Sequence, residues 1–212
     1  MKIYNTEGVL IPDVKDVLCE LGNAGTGLVS VTIGRMLNIR IDIETPKVTY
    51  VESGADSVLS MDTSNDSIAI FMHMTEAING SVVFIIEHDF IVTAVEKLTG
   101  KHYSFEEMLE DECGFSAVKE FGNIIGSAYV KAIGGYTGIR FFLSPVMVGV
   151  DKADKLLSSA YMHPPEKNGR QIYVESRYSI MDKDGEPIGQ AGHIVMMPDE
   201  DSIEKLMEAI GM

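Results

Sequence analysis

The chain has 212 residues, 45% of them apolar, which suits one large domain or two fused halves and excludes a disordered chain. Lys and Arg total 17 against 32 Asp and Glu, a net charge of −15 that repels phosphate backbones and anionic lipid, so no nucleic acid and no membrane partner is expected. The start M-K-I-Y-N-T-E-G lacks a signal-peptide pattern, and no unbroken apolar run exceeds the five residues of Val82–Ile86. Cys19 and Cys113 are too few for a disulfide framework. A soluble, cytoplasmic protein is the expectation.

In chain order, the first predicted element is a helix after Pro12 and Asp13. At about 100° per residue, Val14, Val17, Leu18, Leu21, Ala24, Gly25 and Leu28 fall in one arc, while Asp16, Glu20 and Asn23 share the opposite side. Gly27, Ser30 and Gly34 continue that polar face as small residues that let another backbone come close. Gly22, Gly25, Gly27 and Gly34 each cost a helix about 1 kcal/mol relative to Ala, and a break near Gly25 is the alternative. A strand-like tract around Pro46 (Ile39 to Tyr50) follows, then a polar loop from Glu52 to Ser67. Ile68–Thr75 and Ser81–Glu87 flank Asn79-Gly80, a type I′ hairpin signal, and the helix Phe90–Leu98 ends at Gly100.

The second half retraces this path. Ser104 with Glu107 forms a capping-box pattern, and a long helix follows. That helix buries Ala117, Val118, Phe121, Ile124, Ile125 and Ala128 and displays Ser116, Glu120 and Asn123, with Ser127 and Gly134 further along the same face. Then come a strand around Pro145, a looser tract from Asp151 to Asn168, and the strands Gln171–Met181 and Pro187–Met197 about Asp184-Gly185. The closing helix is Ile203–Ile210, ended by Gly211. The correspondence is an internal repeat: Glu20, Gly22, Asn23, Ile33, Gly34, Ile39 and Arg40 recur 100 positions on as Glu120, Gly122, Asn123, Ile133, Gly134, Ile139 and Arg140. We therefore expect a single domain, residues 1–212, of halves 1–101 and 102–212.

Written as spacing rules, the repeats are Asp16-x3-Glu20-x2-Asn23-x22-Pro46 and Ser116-x3-Glu120-x2-Asn123-x21-Pro145. One E-x-x-N is common in helices; two copies with the leading Asp or Ser and the distant Pro are specific. They resemble the signature of the CheC-type phosphatase family of bacterial chemotaxis (CheC, CheX and FliY), over nearly the whole chain. From its length, and with no extra domain, the expectation is the CheC branch of that family over the shorter CheX or the longer FliY. The residues read as two halves of order helix, strand, hairpin, helix, and the resemblance implies an α/β fold with internal duplication. The halves would share a mainly antiparallel sheet, with the two motif helices side by side on one face.

The resemblance also implies dephosphorylation of the aspartyl phosphate of the response regulator CheY, with Glu20 and Asn23 in one active site and Glu120 and Asn123 in the other. Asp16, Ser116, Pro46 and Pro145 fill the supporting motif positions. The implied partners are phosphorylated CheY and the chemoreceptor deamidase CheD, and the alternative is an adaptor that binds them with little turnover. No cofactor of its own is implied, the regulator supplying Mg²⁺.

The residue types suit that chemistry. A carboxamide can accept from a water with its oxygen and steady a neighbour with its NH2, holding the water in line without taking a proton. A gain of about 100-fold needs only roughly 2.7 kcal/mol. For Glu20 and Glu120 the alternatives are general base or docking carboxylate; a helix face without apolar neighbours favours docking. Gly22–Gly27 resembles a phosphate loop but interrupts a helical pattern and lacks a Lys. The histidines at 73, 88, 102, 163 and 193 show no ligand spacing, so no metal site is expected.

Overall fold

The computed structural model describes residues 3–6, 8–52, 66–153, 155–156 and 170–212. Most of the Glu52–Ser67 loop and of the Asp151–Asn168 tract, His163 included, lies outside the described residues.

The first motif helix, α1, runs unbroken from Pro12 to Leu37 and is followed by β1 (Arg40–Ile43) and β2 (Lys47–Glu52), separated by Pro46. The hairpin β3 (Asp66–Glu76) and β4 (Gly80–Glu87) leads into α2 (His88–Thr99). Then come α3 (Phe105–Glu110), the second motif helix α4 (Glu112–Thr137), β5 (Phe141–Leu143) and β6 (Met147–Lys152). The hairpin β7 (Arg170–Met181) and β8 (Pro187–Pro198) precedes the last helix, α5 (Glu200–Ala209).

All pairings among the described strands are antiparallel, in one eight-stranded sheet of order β1-β7-β8-β4-β3-β5. β2 extends along β7 beside β1, and β6 along β3 beside β5. The halves are therefore exchanged. The strands after α1 pair with the second half's hairpin, and the strands after α4 pair with the first half's. Phe84 opposite Ile194 and Val82 opposite Met196 flank the Val83–Val195 pair symmetrically, marking where the two halves meet at the centre of the sheet.

The helices cover one face. Leu18, Leu21 and Ile33 of α1 join Val118, Phe121, Ile125 and Tyr129 of α4, with Ile68, Ile70, Val82, Phe84, Tyr178 and Ile194 rising from the strands. A smaller cluster on the other face holds Ala69, Val83, Ile85, Tyr173, Val195 and Met197. The apolar run Val82–Ile86 is buried throughout because β4 is central and covered on both sides. By length and composition α1 could cross a bilayer, yet here Val14, Leu18, Leu21, Val29, Ile33 and Leu37 are spent on the core.

The glycines do not break α1, because tertiary contacts use them. A Cβ on Gly25 would lie 2.5 Å from the Tyr129 ring, so this glycine sets how closely α1 and α4 pack. The buried stripe of α1 also takes in Gly22, Thr26 and Val29, while Val17, Ala24 and Leu28 are only partly buried, so the stripe is rotated by roughly 60° from the expected arc. Thr26 tolerates burial by donating to the Gly22 carbonyl at 2.8 Å.

Local signals at other ends hold. Ser104 Oγ accepts from the Glu107 amide (3.2 Å) and Glu107 Oε2 from the Ser104 amide (2.8 Å), opening α3 as a capping box. Gly185 takes the left-handed conformation in the β7–β8 turn, and Gly100 does so at the end of α2. The first hairpin differs from its type I′ expectation: Glu76, not Asn79, has positive φ (79°), and the turn lies between Glu76 and Gly80. Gly80 (φ 132°) is required by the Met197 carbonyl, which passes where a Cβ would stand.

Candidate functional site

α1 and α4 start differently. Pro12 occupies the first turn of α1, where a missing amide hydrogen costs nothing. Asp111 caps α4, its Oδ1 accepting from the Gly114 amide and the Tyr103 hydroxyl, both at 2.9 Å. Those contacts, the amide first, hold the Asp111 carboxyl below the usual carboxylate range. Burial and the Asp111 contact push the Tyr103 hydroxyl up to about 12.

On the helices so fixed, Asp16, Glu20, Asn23 and Gly27 are exposed along one face of α1, and Ser116, Glu120, Asn123 and Ser127 along one face of α4. Glu and Asn three residues apart are surface neighbours on a helix. The face therefore presents a carboxylate and a carboxamide together, twice.

Directly behind each Asn the backbone is pinned by its neighbouring glycine. A Cβ on Gly22 would stand 2.9 Å from Pro46 and 2.8 Å from Val174; one on Gly122 would stand 2.9 Å from Ile70 and 3.2 Å from Val146. Each motif helix thus rests on a strand of the opposite half, β7 under α1 and β3 under α4. The chain crossing below the helix is tied by the Glu44 amide to the Arg177 carbonyl (2.9 Å) and by the Ser144 amide to the His73 carbonyl (2.8 Å).

The prolines are not equivalent. Pro46 is buried, and its carbonyl accepts from the Cys19 thiol at 3.4 Å; burial is the main cause that raises the pKa of that thiol. Pro145 is exposed, and Val146 occupies the place against Gly122. The one-residue difference in spacing thus removes Pro145 from beneath the second helix. Three of the expected close-approach residues serve the fold itself. Ser30 Oγ donates to the Ile41 carbonyl at 3.2 Å, and Cβ atoms on Gly34 and Gly134 would lie 3.0 Å from the Ile39 and Ile139 carbonyls, where the chain reverses after each helix. Gly27 and Ser127 are the small residues that remain exposed.

The surroundings of the sites differ more than the motifs do. Beside Asn123, a groove of about 360 Å³ is lined by Asn123, Ser127, Val130 and Lys131 of α4, Phe141, Phe142 and Leu143 of β5, Met72 and Ser144. The corresponding first-site positions carry Asp42 for Phe142, Ser30 for Val130, Val31 for Lys131 and Glu44 for Ser144. Sequence reasoning missed this groove. The available signal was Phe141-Phe142, since alternation along a strand turns one of two adjacent rings outward.

Among the described residues no group of three or more His, Cys, Asp or Glu could hold a metal ion. His193 is fully buried, with Nδ1 2.9 Å from Glu175 Oε1; His73 lies 3.1 Å from Ser81 Oγ, and His88 stacks on Phe105.

An α/β protein of exchanged halves, with two outward Glu-x-x-Asn helices on one face of a continuous antiparallel sheet, is the class that fold and site define. The chain is 30% identical over 199 residues to the CheY-P phosphatase CheC of Bacillus subtilis, 92% of this chain and 93% of that protein. It belongs to the CheC family. No protein-family model matches it. Among solved structures, Thermotoga maritima FliY superposes with a TM-score of 0.68 at 21% identity, over 95% of this chain and 98% of that one. The CheX–CheY–BeF3–Mg²⁺ complex of Borrelia burgdorferi gives 0.51 at 14% identity, covering 84% of this chain and 97% of that one. At these identities the two structures show the fold alone.

Proposed function

We propose that this protein is a cytoplasmic hydrolase that removes the phosphoryl group from the aspartyl phosphate of a CheY-type response regulator, at two sites. The observation that carries this reading is the exposure of Asn23 and Asn123, each with a Glu three residues before it, on matching faces of α1 and α4. Membership in the family of the Bacillus subtilis CheY-P phosphatase supports the reaction class. The fold shared with a CheX bound to CheY supports a receiver domain as the partner.

The steps follow from the side chains. Water attacks phosphorus in line, the phosphorus–oxygen bond to the aspartyl carboxyl breaks, and inorganic phosphate and a free aspartate result. Mg²⁺ held by the regulator neutralises the phosphoryl oxygens, so this chain supplies no metal of its own. Asn23 or Asn123 accepts from the attacking water through Oδ1 and fixes its direction, a task of positioning that needs no proton transfer. Glu20 or Glu120, exposed beside the carboxamide, pairs with a cation of the regulator and sets the register.

The test follows phosphate loss from a labelled regulator with catalytic amounts of this protein. Asn23→Ala and Asn123→Ala should each lower turnover, and the double variant should lose about 100-fold, the worth of roughly 2.7 kcal/mol. Full activity in the double variant would refute the water-positioning role. Hydrolysis unaffected by the unaltered protein would leave only an adaptor that grips the regulator or CheD.

A further inference from the structure

Each motif Asn is exposed, and Asn123 opens onto the groove beside β5. Asn123 and Ser127 form one wall, so any molecule that presents a phosphoryl group to Asn123 must lay its neighbouring surface across the opening. The groove is also lined by Phe142, 63% exposed, and Leu143 of β5, and by Val130 of α4. A single exposed apolar side chain is ordinary; an exposed ring that lines a groove shared with a motif Asn is an anchor point. Lys131 stands on the rim of the same groove.

We propose that this groove is a docking subsite of the second site, which seats an apolar side chain of the receiver domain against Phe142 and pairs Lys131 with a carboxylate next to it. The proposal rests on the hydrolase reading above and specifies where its affinity comes from. Charge favours this occupant. A carboxylate of the regulator meets a cation at Lys131 but like charge at Asp42 and Glu44 of the first site. Ser30, the counterpart of Val130, is turned to the Ile41 carbonyl. The repeat therefore supplies two alike helices with unlike rims, and Phe142 and Lys131 determine which rim holds the substrate.

The experiment uses the full chain carrying Asn23→Ala, so that the second site alone turns over, with phosphorylated regulator as the varied substrate. Phe142→Ala should raise KM about tenfold with kcat within about twofold, as expected for truncating an interface anchor. Phe142→Leu should recover most of the loss, and Lys131→Gln should raise KM while flattening its dependence on salt. In the Asn123→Ala background, Asp42→Phe should lower the KM of the first site. An unchanged KM in Phe142→Ala, or a fall in kcat that Phe142→Leu does not restore, overturns the groove. In both cases Asn123→Ala still silences the second site if the hydrolase reading is right, so the two failures are told apart.

Discussion

Gly22 and Pro46 are in such close contact that a Cβ on the glycine would lie 2.9 Å from both Cβ and Cγ of the proline. The contact connects the residue before Asn23 to the crossing between β1 and β2, so the carboxamide stands on a floor that cannot shift without disturbing the sheet. Gly22→Ala should destabilise the protein by about 1–3 kcal/mol, the usual cost of overpacking. Pro145→Ala, at the exposed proline of the second copy, should stay within about 0.5 kcal/mol of the parent. Urea melts of both variants check the contrast, and equal losses would contradict the inequality of the two prolines.

Gly27 has nothing within 4 Å of where its Cβ would be. Alanine there removes the helix penalty of glycine, about 1 kcal/mol, and should raise Tm by about 2–4 °C. If the regulator packs against this face, the same change should raise KM at the first site, measured in the Asn123→Ala background. A gain in Tm with KM unaltered would show that the regulator does not approach Gly27.

Glu20 and Glu120 are exposed on their helices, the setting of a carboxylate that pairs with a visiting cation. Glu120→Gln in the Asn23→Ala background should therefore raise KM several-fold, about 1 kcal/mol of lost pairing, and leave kcat nearly intact. A general base would show the opposite pattern, with kcat falling and KM preserved. Steady-state kinetics with phosphorylated regulator separate the two.

Asp111 ties the start of α4 to Tyr103 and makes the second motif helix sensitive to acid. The Gly114 amide, then the Tyr103 hydroxyl, lower its folded pKa below the unfolded value of about 3.9. A depressed carboxyl pKa stabilises the folded chain above the unfolded value, and that stabilisation is lost as pH falls through the folded value. At pH 7 the parent should melt above Asp111→Asn, and the gap should close as pH is taken below about 4. Thermal melts across that range give the answer; a gap that persists in acid would place the effect elsewhere.

Much of this was legible locally. The capping box at Ser104 and Glu107 and the hairpin turn at Asp184-Gly185 depend on neighbours a few residues away, and they formed as expected, whereas the single strand-like tract expected around Pro46 is split there into β1 and β2. Asn79-Gly80 misled because Gly80 answers to Met197, more than a hundred residues distant in sequence. The buried stripe of α1 was misjudged at Gly22 and Thr26 for a related reason: hydropathy cannot register a glycine that is buried because Pro46 and Val174 come close.

The sequence by itself determined that two helices would each hold out a carboxylate and a carboxamide, because the 3.6-residue period and a repeat of constant offset fix which side chains share a face. Only the tertiary structure decided that the halves exchange strands, that Pro145 yields its place to Val146, and that Phe142 opens a groove beside Asn123 where Asp42 stands at the other site. Those outcomes depend on which distant strand pairs with which. A one-residue change of register, or one hairpin chosen over another, lies in non-local packing that no local pattern encodes.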